Sequence, residues 1–362
     1  MVAGYLGLLA ASPAGQRAMV PLGGDFVNVW AGPRIAVQHL SDLFDAGRYS
    51  NALDTAFGKP IDPRNWSYPL FCLWFYTPFS WLPYSIALIS WTVVGAACLY
   101  AAARPMLPRQ SPWWAAVMLL SPFALINLFA GQNGFFTASL ALVALAQLDR
   151  RPWLAGLCIG LLSMKPQLGL LWPVALLAMR AWRPFVAAAV TVLCLYGASL
   201  AWHGVASWQA YQQSTVPFQL ALATDTEPLR IYHAMMVSLL PSLRILGVGL
   251  TAAWAMQLLV TTVVVIGTYL AFPRLRDPAA RAVLIGSGTL LASPYAFNYD
   301  MGVLVAGGVA LAMRQRAWQP WGAAMFLLPI LASYGVMLHW PLAPFLLLGV
   351  FAAQVFCVRP LP

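Results

Sequence analysis

VGLTAAWAMQLLVTTVVVIGTYLAF, residues 248–272, runs without one charged side chain. A helix that crosses a bilayer needs about 20 largely apolar residues, and this stretch supplies them. In lipid the backbone has no water to bond, so a spanning segment is a helix or a strand of a closed barrel. Barrel strands are short and alternate apolar with polar residues. This stretch is long and does not alternate, so it reads as a membrane helix. Arg274 and Arg276 follow it and mark its end.

The same pattern extends in both directions. Arg104 and Arg109, Arg150 and Arg151, Arg180 and Arg183, Arg274, Arg276 and Arg281, Arg314 and Arg316, and Arg359 punctuate further apolar runs. Basic residues collect in cytoplasmic loops, so placing these clusters in the cytoplasm sets the path. It predicts spans at residues 82–103, 113–130, 135–148, 153–164, 168–179, 185–202, 248–272, 279–293, 301–313, 318–337 and 342–358. Several are shorter than a full span and require a thinned bilayer or burial in protein. Residues 1–11 are expected to be a clipped first helix. Residues 68–81, with Pro69 and Pro78, are expected to form a half-helix at the outer interface.

Composition agrees with this path. Of 362 residues, 61% are hydrophobic and 8% charged, against roughly 25% charged in soluble proteins. The expected fold is therefore all-α, a polytopic transmembrane helical bundle of about 10–12 membrane helices, in one integral domain, residues 1–362. The formal charge of +10 sits in short clusters between apolar runs. That is membrane topology rather than a nucleic-acid surface, and no nucleic-acid partner is expected. Cys72, Cys98, Cys158, Cys194 and Cys357 show no metal or disulfide spacing, and His39, His203, His233 and His339 show no metal-ligand spacing. No Walker loop, Rossmann fingerprint or nucleophile elbow is present, so no nucleotide cofactor is implied.

The polar residues crowd the outward loops. The loop over residues 16–68 holds Asp25, Asp42, Asp45, Asp54 and Asp62, half of the ten acidic residues. Its apolar positions, among them Phe26, Val29, Trp30, Ile35, Val37 and Leu43, predict short amphipathic helices lying on the membrane. The other outward loops are 131–133, 165–167, 203–230 and 293–300. Asp25 follows Gly23-Gly24 and precedes an apolar helix face. It reads either as the cap of that helix or as a carboxylate facing a cavity. Lys165 is the only charge between Leu154 and Ala178. A cation inside a membrane span is costly and marks function, although a lysine at a helix break can also snorkel to the interface. Gln132 and Asn133 form a hairpin turn or bind hydroxyls. Asn298, Tyr299 and Asp300 open an apolar run, where a cap and a ligand are both open. Arg64 and Tyr68 close the first outward loop and join the candidate binding set.

Taken in order, these loops resemble glycosyltransferase family 87. The resemblance rests on Gly24-Asp25-Phe26, Tyr68-Pro69, the run Pro78 to Pro83, Gly131-Gln132-Asn133, Leu162-Ser163-Met164-Lys165-Pro166-Gln167 and Ser293-Pro294. It covers about residues 23–300. It implies a GT-C fold in a bacterial inner membrane and an active site facing the periplasm. It also implies a polyprenyl-phosphate-sugar donor, and Asp25 as general base. The acceptor would be a lipid or glycan, beside surrounding membrane lipids, and the sugar a mannose-like hexose or a pentose. Members that transfer mannose carry a histidine shortly after the late Ser-Pro; this chain has Tyr299 and Asp300 there. A second reading stands beside it: a polytopic lipid or sugar transporter or flippase, which would hold ionisable groups at mid-membrane.

Overall fold

The computed structural model describes residues 21–107, 113–224 and 231–356. The expected first helix at residues 1–11 lies outside them. The described chain is helical almost throughout, with one isolated backbone bridge between Met236 and Phe297. In order, the helices are α1 (Phe26–His39), α2 (Ala46–Phe57), α3 (Cys72–Ser80), α4 (Tyr84–Ala103), α5 (Trp113–Leu119), α6 (Pro122–Ala130), α7 (Gly134–Gln147) and α8 (Pro152–Leu161). Then follow α9 (Trp172–Ala178), α10 (Trp182–Thr224), α11 (Ile231–Met235), α12 (Leu239–Ile245), α13 (Leu250–Ala271), α14 (Pro278–Ala292), α15 (Gly302–Arg314), α16 (Gln319–Met337) and α17 (Ala343–Phe356).

Four helices are long and apolar enough to cross a membrane: Tyr84–Met106, Trp182–Thr224, Leu250–Arg274 and Arg316–Met337, counting attached 3-10 turns. Six shorter apolar helices of 10–17 residues accompany them. The expected all-α membrane bundle is what forms. The short helices explain themselves by burial. Every residue from Ala279 to Ala292 in α14 is buried, so this helix meets protein rather than lipid. On α13, in contrast, Leu258, Leu259, Val263, Ile266 and Leu270 are exposed apolar residues, as a lipid-facing helix requires.

Three expectations are corrected. The span predicted at residues 113–130 is two helices, because Ser121-Pro122 breaks it. Proline lacks an N–H and suits a helix start, and the Ser121 hydroxyl accepts from the Ala124 N–H at 3.3 Å. The outward loop expected at 203–230 is helical to Thr224, as part of α10. Only Gly204 departs, with φ 80° and ψ 162°, a conformation that glycine alone adopts easily. The third concerns α1. It is not an amphipathic helix with one apolar face. Phe26 to Pro33 and Ile35 are buried on all sides, whereas Val37 is 87% exposed. The helix that is one-sided is α2, which buries Tyr49 and Leu53, four residues apart.

The chain divides into two compact units. The first comprises Met1–Val94, Asn127–Gln132 and Cys194–Ala221. Its core is aromatic: Phe26, Trp30, Tyr49, Trp66, Tyr68, Phe71, Tyr76 and Trp91 are all buried. Tyr68 meets Trp66 and Tyr76 edge-on at 5.6 and 5.3 Å, the favoured geometry for ring quadrupoles. The second comprises Gly95–Ile126, Asn133–Leu193 and Leu222–Pro362. Here α14, α15 and α16 approach closely through small residues. A Cβ on Gly286 would press on the Leu304 backbone, and one on Gly307 on the Ala279 carbonyl. Small residues at such contacts let membrane helices pack without a hydrophobic drive.

Candidate functional site

In the first unit the structure gathers residues around Asp25. Gly23 and Gly24 both have positive φ, 85° and 41°, and deliver Asp25 to the start of α1. Asp25 occupies the N-cap position, yet its side chain makes no capping hydrogen bond. The carboxylate is used elsewhere. Arg64 donates from Nη1 to Asp25 Oδ1 at 2.8 Å, and Gln132 donates from Nε2 to Asp25 Oδ2. The Asp25 N–H also donates to the Ala130 carbonyl at 2.9 Å, which ties the loop at residues 127–132 to the helix start. Gly131 makes that contact possible: its φ is 62°, and a Cβ there would overlap the Gly23 carbonyl oxygen.

Arg64 is in turn held from behind. Its Nη2 donates to both oxygens of Asp62, at 2.9 and 2.7 Å. Arg64 is 4% exposed, whereas Asp25 and Asp62 are about a quarter exposed. The arrangement is a buried guanidinium fork gripping two carboxylates that reach towards solvent. A planar guanidinium is suited to this because its donors are fixed in the fork. Asp62 was not singled out by the sequence; its spacing of two residues from Arg64 is the only signal there.

The second unit holds a different group. Lys165 lies between two 3-10 turns, Leu162–Met164 and Pro166–Gly169. Pro166 forces the residue before it out of the helical region, and Lys165 has φ −132° and ψ 85°. Lys165 does not snorkel. It is buried, and its Nζ donates to Asp300 Oδ1 at 2.7 Å while lying 4.5 Å from the centre of the Tyr299 ring. Asp300 sits in the turn Asn298–Asp300 between α14 and α15, outside the candidate spans. Burial pushes its carboxyl above the ordinary range, against the lowering influence of Lys165 and of the Phe297 backbone. Asn298 spends its amide on α16, donating to the Pro329 carbonyl at 3.1 Å and to Ser333 Oγ at 2.9 Å. Asn133 precedes α7; its carbonyl accepts from the Phe136 and Thr137 N–H groups.

Of the residues predicted from sequence, the structure joins Asp25, Arg64 and Gln132 in one cluster, and Lys165, Tyr299 and Asp300 in another. Tyr68 belongs to the aromatic core of the first unit. Among the described residues no three His, Cys, Asp or Glu side chains are grouped to hold a metal ion.

The family model for glycosyltransferase family 87 matches residues 66–294. That stretch is more than half of the chain, so the protein belongs to this family. It is a membrane glycosyltransferase. The match includes Tyr68, Gln132, Asn133 and Lys165, and leaves Asp25, Arg64 and Asn298 to Asp300 outside its bounds. No curated protein and no solved structure matches the chain.

Proposed function

We propose that the protein transfers a sugar, a mannose-like hexose or a pentose, from a polyprenyl-phosphate donor to a hydroxyl of a lipid or glycan, with Asp25 as general base. The observation that carries this reading is the Asp25 carboxylate: it stands at a helix start but is oriented by Arg64 and Gln132 instead of capping. A carboxylate about a quarter exposed and fixed at both oxygens has the reach and orientation to meet an acceptor hydroxyl. In the step, the acceptor O–H gives its proton to Asp25 and its oxygen bonds to the anomeric carbon. The bond from that carbon to the phosphate oxygen breaks, and the phosphate leaves as an anion on the lipid. Displacement from one face inverts the anomeric centre. A positioned base typically contributes 10²–10⁴-fold.

The role proposed for Lys165 is contact with the anionic phosphate of the donor. Its ammonium has three donors, one of them directed at Asp300. The polar loops are proposed to face the periplasm of a bacterial inner membrane, as in a GT-C enzyme. A transporter reading draws on the same buried Lys165–Asp300 pair, since ionisable groups inside a bundle also mark transport paths. One experiment separates them. Purified protein in nanodiscs is given polyprenyl-phosphate-sugar and acceptor, and Asp25→Asn is compared with wild type. Asn keeps the size of Asp and removes its basicity, so transfer should fall by at least about 10²-fold in a protein that stays folded, because Asp62 still pairs with the buried Arg64. Near-normal transfer by Asp25→Asn ends the assignment of the base.

A further inference from the structure

A small cavity of about 30 Å3, room for a single hydroxyl or water, lies within the second unit, walled by parts of α7, α9, α14 and α15 and by the turns on either side of Lys165. Most of its wall is apolar, but Thr137, Trp172, Thr289 and Asp300 interrupt it. The Thr137 hydroxyl donates to the Gly134 carbonyl at 3.2 Å. The other three carry atoms with no protein partner: Asp300 Oδ2, Thr289 Oγ1 and Trp172 Nε1. These residues are 7%, 4% and 0% exposed. Buried polar atoms are hydrogen-bonded in the great majority of cases, by protein or by ordered water. Three residues that line one cavity each carry such an atom, and this points to a shared partner.

Their chemistry selects that partner. A carboxylate oxygen only accepts, an indole N–H only donates, and a threonine hydroxyl does either. The group that answers both demands at once is a hydroxyl. Charge narrows the choice further. Asp300 is already neutralised through Oδ1 by Lys165, so a cation would compete with that ammonium. A phosphate would face the bare Oδ2. We propose that this cavity binds a neutral hydroxyl, which donates to Asp300 Oδ2 and accepts from Trp172 Nε1, with Thr289 as the third contact. An ordered water and a sugar hydroxyl share this chemistry.

High-resolution cryo-EM in nanodiscs tests the site, with and without polyprenyl-phosphomannose. A density peak bonded to Asp300 and Thr289 in both maps identifies the hydroxyl as water. A peak that appears only with the donor and continues into the sugar identifies a substrate hydroxyl; this arm alone rests on the transferase reading. No peak in either map overturns the proposal, whatever the fate of Asp25 as the base. Thr289→Val keeps shape and removes the hydroxyl, and Trp172→Phe removes the indole N–H at the cost of a smaller ring; each should lose the peak. A peak unchanged in both variants would equally overturn the assigned contacts. Thr289→Ser retains the hydroxyl and should retain the peak, which separates loss of the contact from misfolding.

Discussion

Replacing Lys165 by methionine keeps most of the apolar stem and deletes the ammonium. Its partner Asp300 has no exposed side-chain surface, and the lysine side chain is 8% exposed. Removing one member of a buried pair leaves an uncompensated charge and costs about 3–5 kcal/mol. Here the cost falls at the low end, because Asp300 can take up a proton. The sign of the pH dependence follows. Burial already raises the Asp300 carboxyl, and Lys165 supplies the largest opposing influence. In Lys165→Met the folded-state pKa is therefore raised further above the unfolded value. Such a group stabilises fully at low pH, and that contribution is lost as pH rises through the folded pKa, at about 1.4 kcal/mol per pH unit. Thermal melts in detergent should thus show Lys165→Met closest to wild type near pH 5 and falling further behind by pH 8. Adding Asp300→Asn removes the stranded charge. The double variant should recover roughly 1–3 kcal/mol, within the range of coupling between contacting residues. Donor kinetics then give the functional reading. If Lys165 meets the donor phosphate, the double variant regains stability but keeps a raised KM for the donor. A double variant with wild-type donor KM refutes the phosphate contact, and a Lys165→Met protein as stable as wild type at every pH refutes the buried-pair argument itself.

Three other predictions concern the first unit and the topology. Gly131→Ala places a Cβ against the Gly23 carbonyl and Phe26 at positive φ, which costs about 1–2 kcal/mol from conformation alone; it should lower the melting temperature and cut transfer by displacing Gln132, and an unaffected enzyme would show that the turn does not hold the site. Arg64→Gln removes a positive charge beside Asp25, which makes that carboxylate harder to ionise. The acid limb of the pH–rate profile should move to higher pH, with partial return in Arg64→Lys, and a limb that stays in place in both variants disposes of Arg64 as the group that tunes the base. Single cysteines at accessible positions of the proposed outward loops, Asp25, Asp45, Lys59 and Gln212, in a protein freed of its native cysteines, should react with a membrane-impermeant thiol reagent in intact spheroplasts. Labelling at two of these positions only after the membrane is opened would reverse the proposed orientation.

The membrane helices were legible because lipid imposes a simple code. Apolar runs closed by arginines gave 248–272, 279–293 and 301–313 where the helices are Leu250–Ala271, Pro278–Ala292 and Gly302–Arg314. Where tertiary contacts replace lipid, the code fails. The second half of α10 carries Gln, Ser and Thr, and so reads as a loop. It is held instead by long-range bonds within the first unit, from Thr215 Oγ1 to the Trp66 carbonyl and from Gln219 Nε2 to the Ser67 carbonyl. The buried first turns of α1 escaped for the same reason, since a helix surrounded by aromatic rings looks locally like half of an amphipathic one. For the candidate site, residue types were legible and partnerships were not. Asp25 meets Arg64 across 39 positions and Gln132 across 107, and Lys165 meets Asp300 across 135. No local spacing encodes such pairs.

With Asp25 as the proposed base and a lipid-phosphate as the proposed donor, those partnerships bear on how strong a base the reaction would need. A carboxylate that accepts from an arginine and an amide is stabilised in its ionised form, and so is a weaker base than a free one. For an acceptor alcohol whose proton had to leave before attack, this would be a handicap. For a lipid-phosphate donor it is not. The leaving group departs as a phosphate anion and needs no proton, so the anomeric carbon becomes electron-poor before the acceptor oxygen has bonded far. The hydroxyl grows acidic as it bonds, and a weak base suffices if it is already in place. Orientation then counts for more than basicity. Arg64 would supply that orientation, since Asp62 holds the other arm of its fork through both carboxylate oxygens. The unmade cap of the Asp25 side chain fits that proposal, since a carboxylate turned back onto the α1 N–H groups would face the helix rather than the proposed acceptor.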